Sequence, residues 1–166
     1  NPRFNEKQIR QIRLGIENGM SLDQVKFYAK PEFSPDLMEE IRLGFQDGLT
    51  EEQIKIYARP ELGYSNIHFI RLGLREGFDI EKIEFLKNSK FGYFELEEIY
   101  LGFKNGLSVE QVSVYAKSYF SRYQMKEIRL GFEEGLSLDQ INLYANPEFR
   151  RDQMEQIRLG FKSGLS

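Results

Sequence analysis

The tetrapeptide Ile-Arg-Leu-Gly occurs at Ile12–Gly15, Ile41–Gly44, Ile70–Gly73, Ile128–Gly131 and Ile157–Gly160, and Ile99–Gly102 differs from it only at Tyr100. Its glycines stand at Gly15, Gly44, Gly73, Gly102, Gly131 and Gly160. A second series follows at Gly19, Gly48, Gly77, Gly106, Gly135 and Gly164. Both series keep a constant spacing of 29 residues and together hold twelve of the fourteen glycines; the other two, Gly63 and Gly92, are also 29 apart. Such a period means that one small supersecondary unit is repeated and that neighbouring units bury each other's apolar faces. The 166-residue chain is expected to be a single array with units 2–30, 31–59, 60–88, 89–117 and 118–146 and an incomplete 147–166.

Each unit reads as two helices. Asn5, Ser34, Gly63, Gly92 and Ser121 occupy equivalent cap positions, and Asn5 with Gln8 and Ser121 with Gln124 have capping-box spacing. Pro35 follows Ser34, where the missing N–H costs nothing. Apolar residues then recur at helical spacing, as in Met38, Ile41 and Phe45. The second glycine of each unit sits where a helix ends in a left-handed residue. A second, shorter helix starts at once with Ser21–Gln24, Thr50–Gln53, Ser108–Gln111 or Ser137–Gln140 and runs to a Tyr-Ala pair, with Pro31, Pro60 or Pro147 beyond it. Two-turn helices are not stable alone, so the units are expected to stack as an all-α, right-handed solenoid. The first glycine, inside the long helix, costs about 1 kcal/mol relative to Ala. It predicts a close neighbour at that point.

Composition excludes several chemistries. There is no Cys and one His, so thiolate zinc sites, cysteine nucleophiles and His-based metal sites have no residues to build them. His68 is expected to be a structural residue rather than a catalyst. The carboxylates recur with the unit, as solvated helix faces do, and Gly-Leu-Ser is a helix–helix turn rather than a phosphate cradle. No apolar run approaches the roughly 20 residues needed to span a bilayer, and no secretory leader is read. The expectation is a non-catalytic protein without cofactor, metal or membrane span, in the cytoplasm. The last unit stops where its second helix should begin and neither end shows a polar capping helix. The chain is therefore expected to be part of a longer protein, or to have a partner over its open end.

Candidate binding residues come from a stripe on the long helix. Across the units it holds twelve cations, among them Arg42, Arg71, Arg75, Arg122 and Arg129, and six acids; this net +6 leaves −9 on the rest of a chain whose total is −3. Aligned stripes would make a basic face for an acidic protein or a nucleic-acid backbone. Alternatively the arginines pair with the acids that begin the short helices, Asp23, Glu52, Glu81, Glu110 and Asp139, in a structural ladder. The third and fourth units add aromatics where the others are polar: Tyr64, His68, Phe69, Tyr93, Phe94 and Tyr100. Aromatics flanked by arginine have the composition of a protein-binding hot spot, or of a base-stacking platform. The alternative is that Phe69 and Phe94 fill a locally different core, as Leu86-Lys87 in place of Tyr-Ala suggests.

The pattern Gln-Met-x-Glu-Ile-Arg-Leu-Gly-Phe-x-x-Gly-Leu-Ser, continued to Tyr-Ala-x-Pro-x-Phe and seen in Gln124–Phe149, resembles a short helical repeat in proteins of gut Firmicutes, often associated with mobile elements. That family has no established activity. In architecture alone the units are similar to tetratricopeptide, pentatricopeptide and Sel1-like hairpins, whose signatures and longer periods are absent. The expected function is a protein-interaction scaffold that meets another protein through the long-helix stripe. A nucleic-acid-binding array and a structural spacer are the alternatives.

Overall fold

The computed structural model describes residues 3–164, and all regular structure among them is helical. Long and short helices alternate. The long ones are α1 (Glu6–Glu17), α3 (Pro35–Gln46), α5 (Tyr64–Arg75), α7 (Tyr93–Lys104), α9 (Arg122–Glu133) and α11 (Arg151–Lys162). The short ones are α2 (Leu22–Tyr28), α4 (Glu51–Tyr57), α6 (Ile80–Asn88), α8 (Val109–Tyr115) and α10 (Leu138–Tyr144). The long helices begin and end at positions 29 residues apart. The chain divides into two compact units, Asn1–Phe78 and Asp79–Ser166, with α1–α5 in the first and α6–α11 in the second. Leu165 and Ser166, where the spacing places the start of another short helix, lie outside the described residues.

Local chemistry sets the boundaries. Asn5, Ser21, Thr50, Ser108, Ser121 and Ser137 each accept from the backbone N–H three residues on, and the Gln at that position returns its side-chain oxygen to the cap N–H. At the far end of α3, the Leu49 N–H reaches the Gly44 carbonyl at 3.0 Å and the Gly48 N–H reaches Phe45 at 3.1 Å. This double closure needs Gly48 at φ +83°, which a side chain disfavours.

The short helices end differently. Ala29, Ala58, Ala116 and Ala145 lie near φ −72° and ψ +64°, the centre of an inverse γ-turn, closed for example from Lys30 N–H to Tyr28 O at 2.7 Å. A β-turn follows, with the Phe33 N–H on Lys30 O at 3.0 Å. The third hairpin lacks this signal because Leu86-Lys87 replaces Tyr-Ala, and α6 continues to Asn88.

Within each unit, packing joins each long helix to the next. In the first unit α3 packs against α1, α2, α4 and α5; in the second α9 packs against α7, α8, α10 and α11. Met38, Ile41, Ile54, Tyr57 and Ile70 are fully buried in the first unit, and Leu96, Ile99, Val112, Tyr115, Met125, Ile128, Ile141 and Tyr144 in the second. At about 1.5–3 kcal/mol for each buried large apolar side chain, this burial supplies what a seven-residue helix lacks by itself.

Candidate interaction site

The repeated polar residues assemble inside the fold first, and what they leave outside defines the candidate surface. Glu40 joins two contacts. Its backbone carbonyl accepts the Tyr57 hydroxyl at 3.1 Å, across the α3–α4 hairpin. Its carboxylate accepts Arg71 Nε at 2.6 Å and lies 2.9 Å from His68 Nδ1, both on α5. Arg71 also pairs with Asp47 at the end of α3. Glu40 and Arg71 are 2% and 6% exposed. Burial pushes the Glu40 carboxyl up, but the hydrogen bonds from His68 and Arg71 outweigh it and hold the group below the usual carboxylate range. Burial raises the Tyr57 phenol.

The same arrangement recurs. Tyr28 donates to Gln11 O, Tyr115 to Glu98 O and Tyr144 to Glu127 O, at 3.0–3.2 Å. The side chains of these acceptors receive Arg42, Arg129 and Arg158 through Nε at 2.9–3.0 Å, always 31 residues further on. The second partner of each guanidinium alternates. Where the residue ending the preceding long helix is acidic, as Asp47 or Glu134, the arginine crosses to it. Where that residue is Asn18 or Asn105, the arginine turns to Gln46 or Glu133 in its own helix, and Asn105 donates to Glu133 at 2.9 Å.

This ladder corrects the expected pairing. Asp23, Glu52, Glu81, Glu110 and Asp139 are exposed in the first turns of the short helices, and the acceptors lie in the preceding long helix instead. The first glycine also has its explanation. A methyl on Gly44 would overlap the Tyr57 hydroxyl, and Gly15, Gly102 and Gly131 meet Tyr28, Tyr115 and Tyr144 in the same way.

Of the sequence-derived binding candidates, Arg42, Arg71, Arg129, Phe69 and Tyr100 are buried. Phe69 takes the ladder-acid position of α5 and Tyr100 the ladder-arginine position of α7, so each helix keeps one member of the polar pair, Arg71 in α5 and Glu98 in α7. The Lys104 ammonium lies 5.9 Å from the Tyr100 ring centre. His68 is half-buried between Glu40 and a stacked Tyr64 ring at 5.8 Å. Tyr64, Arg75, Tyr93 and Phe94 remain exposed, the first two in one unit and the last two in the other.

Phe94 is 53% exposed and belongs to a cluster that sequence reasoning saw only in part. The Arg122 guanidinium sits 4.3 Å from its ring centre and 4.5 Å from that of Tyr123, itself 52% exposed. Arg122 Nη2 donates to the Tyr123 hydroxyl at 2.6 Å, and Tyr93 meets Phe94 edge-on at 5.7 Å. The available signal was positional: Phe94 and Tyr123 are 29 apart, where other units carry Lys7, Asp36, Ser65 and Asp152.

The described residues form an all-helical protein with an internal arginine ladder and an exposed aromatic–arginine cluster on the first turns of α7 and α9. No family model, no curated protein and no solved structure matches it. Among the described residues no group of three or more His, Cys, Asp or Glu is placed to hold a metal ion, and no helix is long and apolar enough to cross a membrane.

Proposed function

We propose that the chain is a non-catalytic protein-interaction module, a solenoid-type array of 29-residue hairpins that meets its partner through Tyr93, Phe94, Arg122 and Tyr123. The observation that carries this reading is the solvent-exposed stacking of Phe94, Arg122 and Tyr123. Aromatic and arginine side chains dominate binding energy at protein interfaces, where each costs roughly 2 kcal/mol or more when truncated. A guanidinium already held between two rings loses less rotamer freedom on docking than a free one.

The runner-up is nucleic-acid binding, in keeping with the mobile-element proteins that the repeat resembles, since arginine and aromatic rings also stack on bases. The basic stripe favours it less than its formal charge implies. Arg42, Arg71, Arg129 and Arg158 are buried and engaged within the fold.

Affinity capture from the native host with wild-type chain and with a Phe94→Ala/Tyr123→Ala variant tests the proposal. A protein retained by wild type and by an Ile80→Ala control, but lost with the double variant, supports it. Identical captures reject it, and saturable, steeply salt-dependent binding of single-stranded RNA or DNA would install the runner-up. A pure spacer captures nothing in any arm.

A further inference from the structure

The capping glutamines have a second task at two places. Gln8 Nε2 donates to the carbonyls of Pro31 and Phe33 at 3.1 and 2.7 Å. Gln124 Nε2 does the same to Pro147 and Phe149 at 3.0 and 2.8 Å. A side-chain amide thus clamps the turn that leads into the next long helix.

Between α3 and α5 the donor is gone, because Leu37 stands at the glutamine position. The rest of the site keeps its form. Ser34 still caps α3, accepting from Leu37 N–H at 3.1 Å, and the turn still closes from Leu62 N–H to Arg59 O at 3.1 Å. Pro60 and Leu62, the counterparts of the clamped residues, now line an open notch of about 160 Å³.

Two further changes accompany the loss. The rim positions are Glu32 and Asp36 at the notch, Arg3 and Lys7 at the Gln8 site, and Tyr119 and Tyr123 at the Gln124 site. The third rim position is Tyr64, where the clamped sites have Pro35 and Arg151. At this notch, then, a doubly acidic rim and an aromatic ring stand beside two carbonyls that have lost their amide donor. The first turns of α3 and α5 contribute partial positive charges of about half a unit each, which two carboxylates outweigh.

We propose that this notch binds a primary alkylammonium group. Its N–H bonds replace those of the missing amide at the Pro60 and Leu62 carbonyls, and its charge faces Glu32 and Asp36. The Tyr64 ring adds a cation–π contact, and the methylene stem lies along Leu37 and Ile67. The notch volume is well above the roughly 10–15 Å³ of such space that a single water needs, which leaves room for the ammonium and a few methylenes. A lysine side chain or a free diamine could bring this group. The site lies in the first unit, apart from the aromatic cluster of the second, so either proposal can fail without the other.

Amide NMR titration of the full chain with n-butylammonium tests it, with butyltrimethylammonium, which has no N–H, at equal ionic strength. The expected result is saturable shifts confined to residues 32–37 and 61–67 with the primary amine alone. Leu37→Gln, which restores the amide donor, should abolish them without lowering Tm, and Asp36→Asn should weaken binding several-fold. A tighter response to Nα-acetyl-lysine methylamide than to putrescine assigns the site to a partner's lysine, and the reverse order to a diamine. Absence of saturable shifts, equal shifts with the quaternary ion, or unchanged binding in Leu37→Gln overturns the proposal.

Discussion

Tyr57 donates its phenolic hydrogen to the backbone carbonyl of Glu40 at 3.1 Å, and it reaches that carbonyl because Gly44 presents no side chain. The glycine of the repeated tetrapeptide is therefore a docking notch for the tyrosine that ends the same hairpin. Gly44→Ala gains about 1 kcal/mol of helix propensity but forces the phenol out. A net loss of about 1–3 kcal/mol is expected from urea unfolding. In a Tyr57→Phe background the obstruction is removed, so the same substitution should cost at least about 1 kcal/mol less.

The ladder makes a graded prediction at Glu127, which accepts Arg158 at 3.0 Å while 1% exposed. Glu127→Ala leaves a buried guanidinium short of a partner and should cost about 3 kcal/mol. Glu127→Gln keeps an acceptor of the kind that Gln11 already offers Arg42 at 3.0 Å, and about 1 kcal/mol is expected. Equal losses in thermal melts would contradict the ladder's role.

Glu40 gives the chain a specific acid sensitivity. Its carboxyl is held below the usual range in the folded state, against burial, by His68 and Arg71. A depressed carboxylate contributes stability that is present above the unfolded-state value and is lost as pH falls through the folded one. The stability advantage of wild type over Glu40→Gln should therefore be greatest near neutrality and shrink below about pH 4. A constant difference from pH 7 to pH 3 in urea titrations would exclude the linkage.

The binding cluster should be separable from the fold. Phe94 and Tyr123 are more than half exposed, so Phe94→Ala/Tyr123→Ala should change unfolding free energy by less than about 1 kcal/mol. A larger loss would make the cluster a structural element.

Much of this was legible in the residues. The capping boxes, the Gly48-type terminations and the alternation of longer and shorter helices follow from local chemistry, and the structure has them at those positions. The ladder partners were harder. Glu40 stands two residues before Arg42, on a different face of the same helix, so no helical pairing rule connects them. The connection appears only when one long helix packs on the next and Glu40 meets Arg71, 31 residues along. The burial of Arg42, Arg71 and Arg129 was hidden for the same reason, because a wheel drawn for one helix shows a solvated stripe. Arg122 counted as one more cation until packing placed it between two rings.

Isothermal titration of the captured partner with wild type and with Phe94→Ala/Tyr123→Ala tests most directly the division between a polar ladder that builds the fold and an exposed aromatic–arginine cluster that binds. The expected result is at least a tenfold weaker Kd for the double variant, about 1.4 kcal/mol or more. A Kd within twofold of wild type would contradict it.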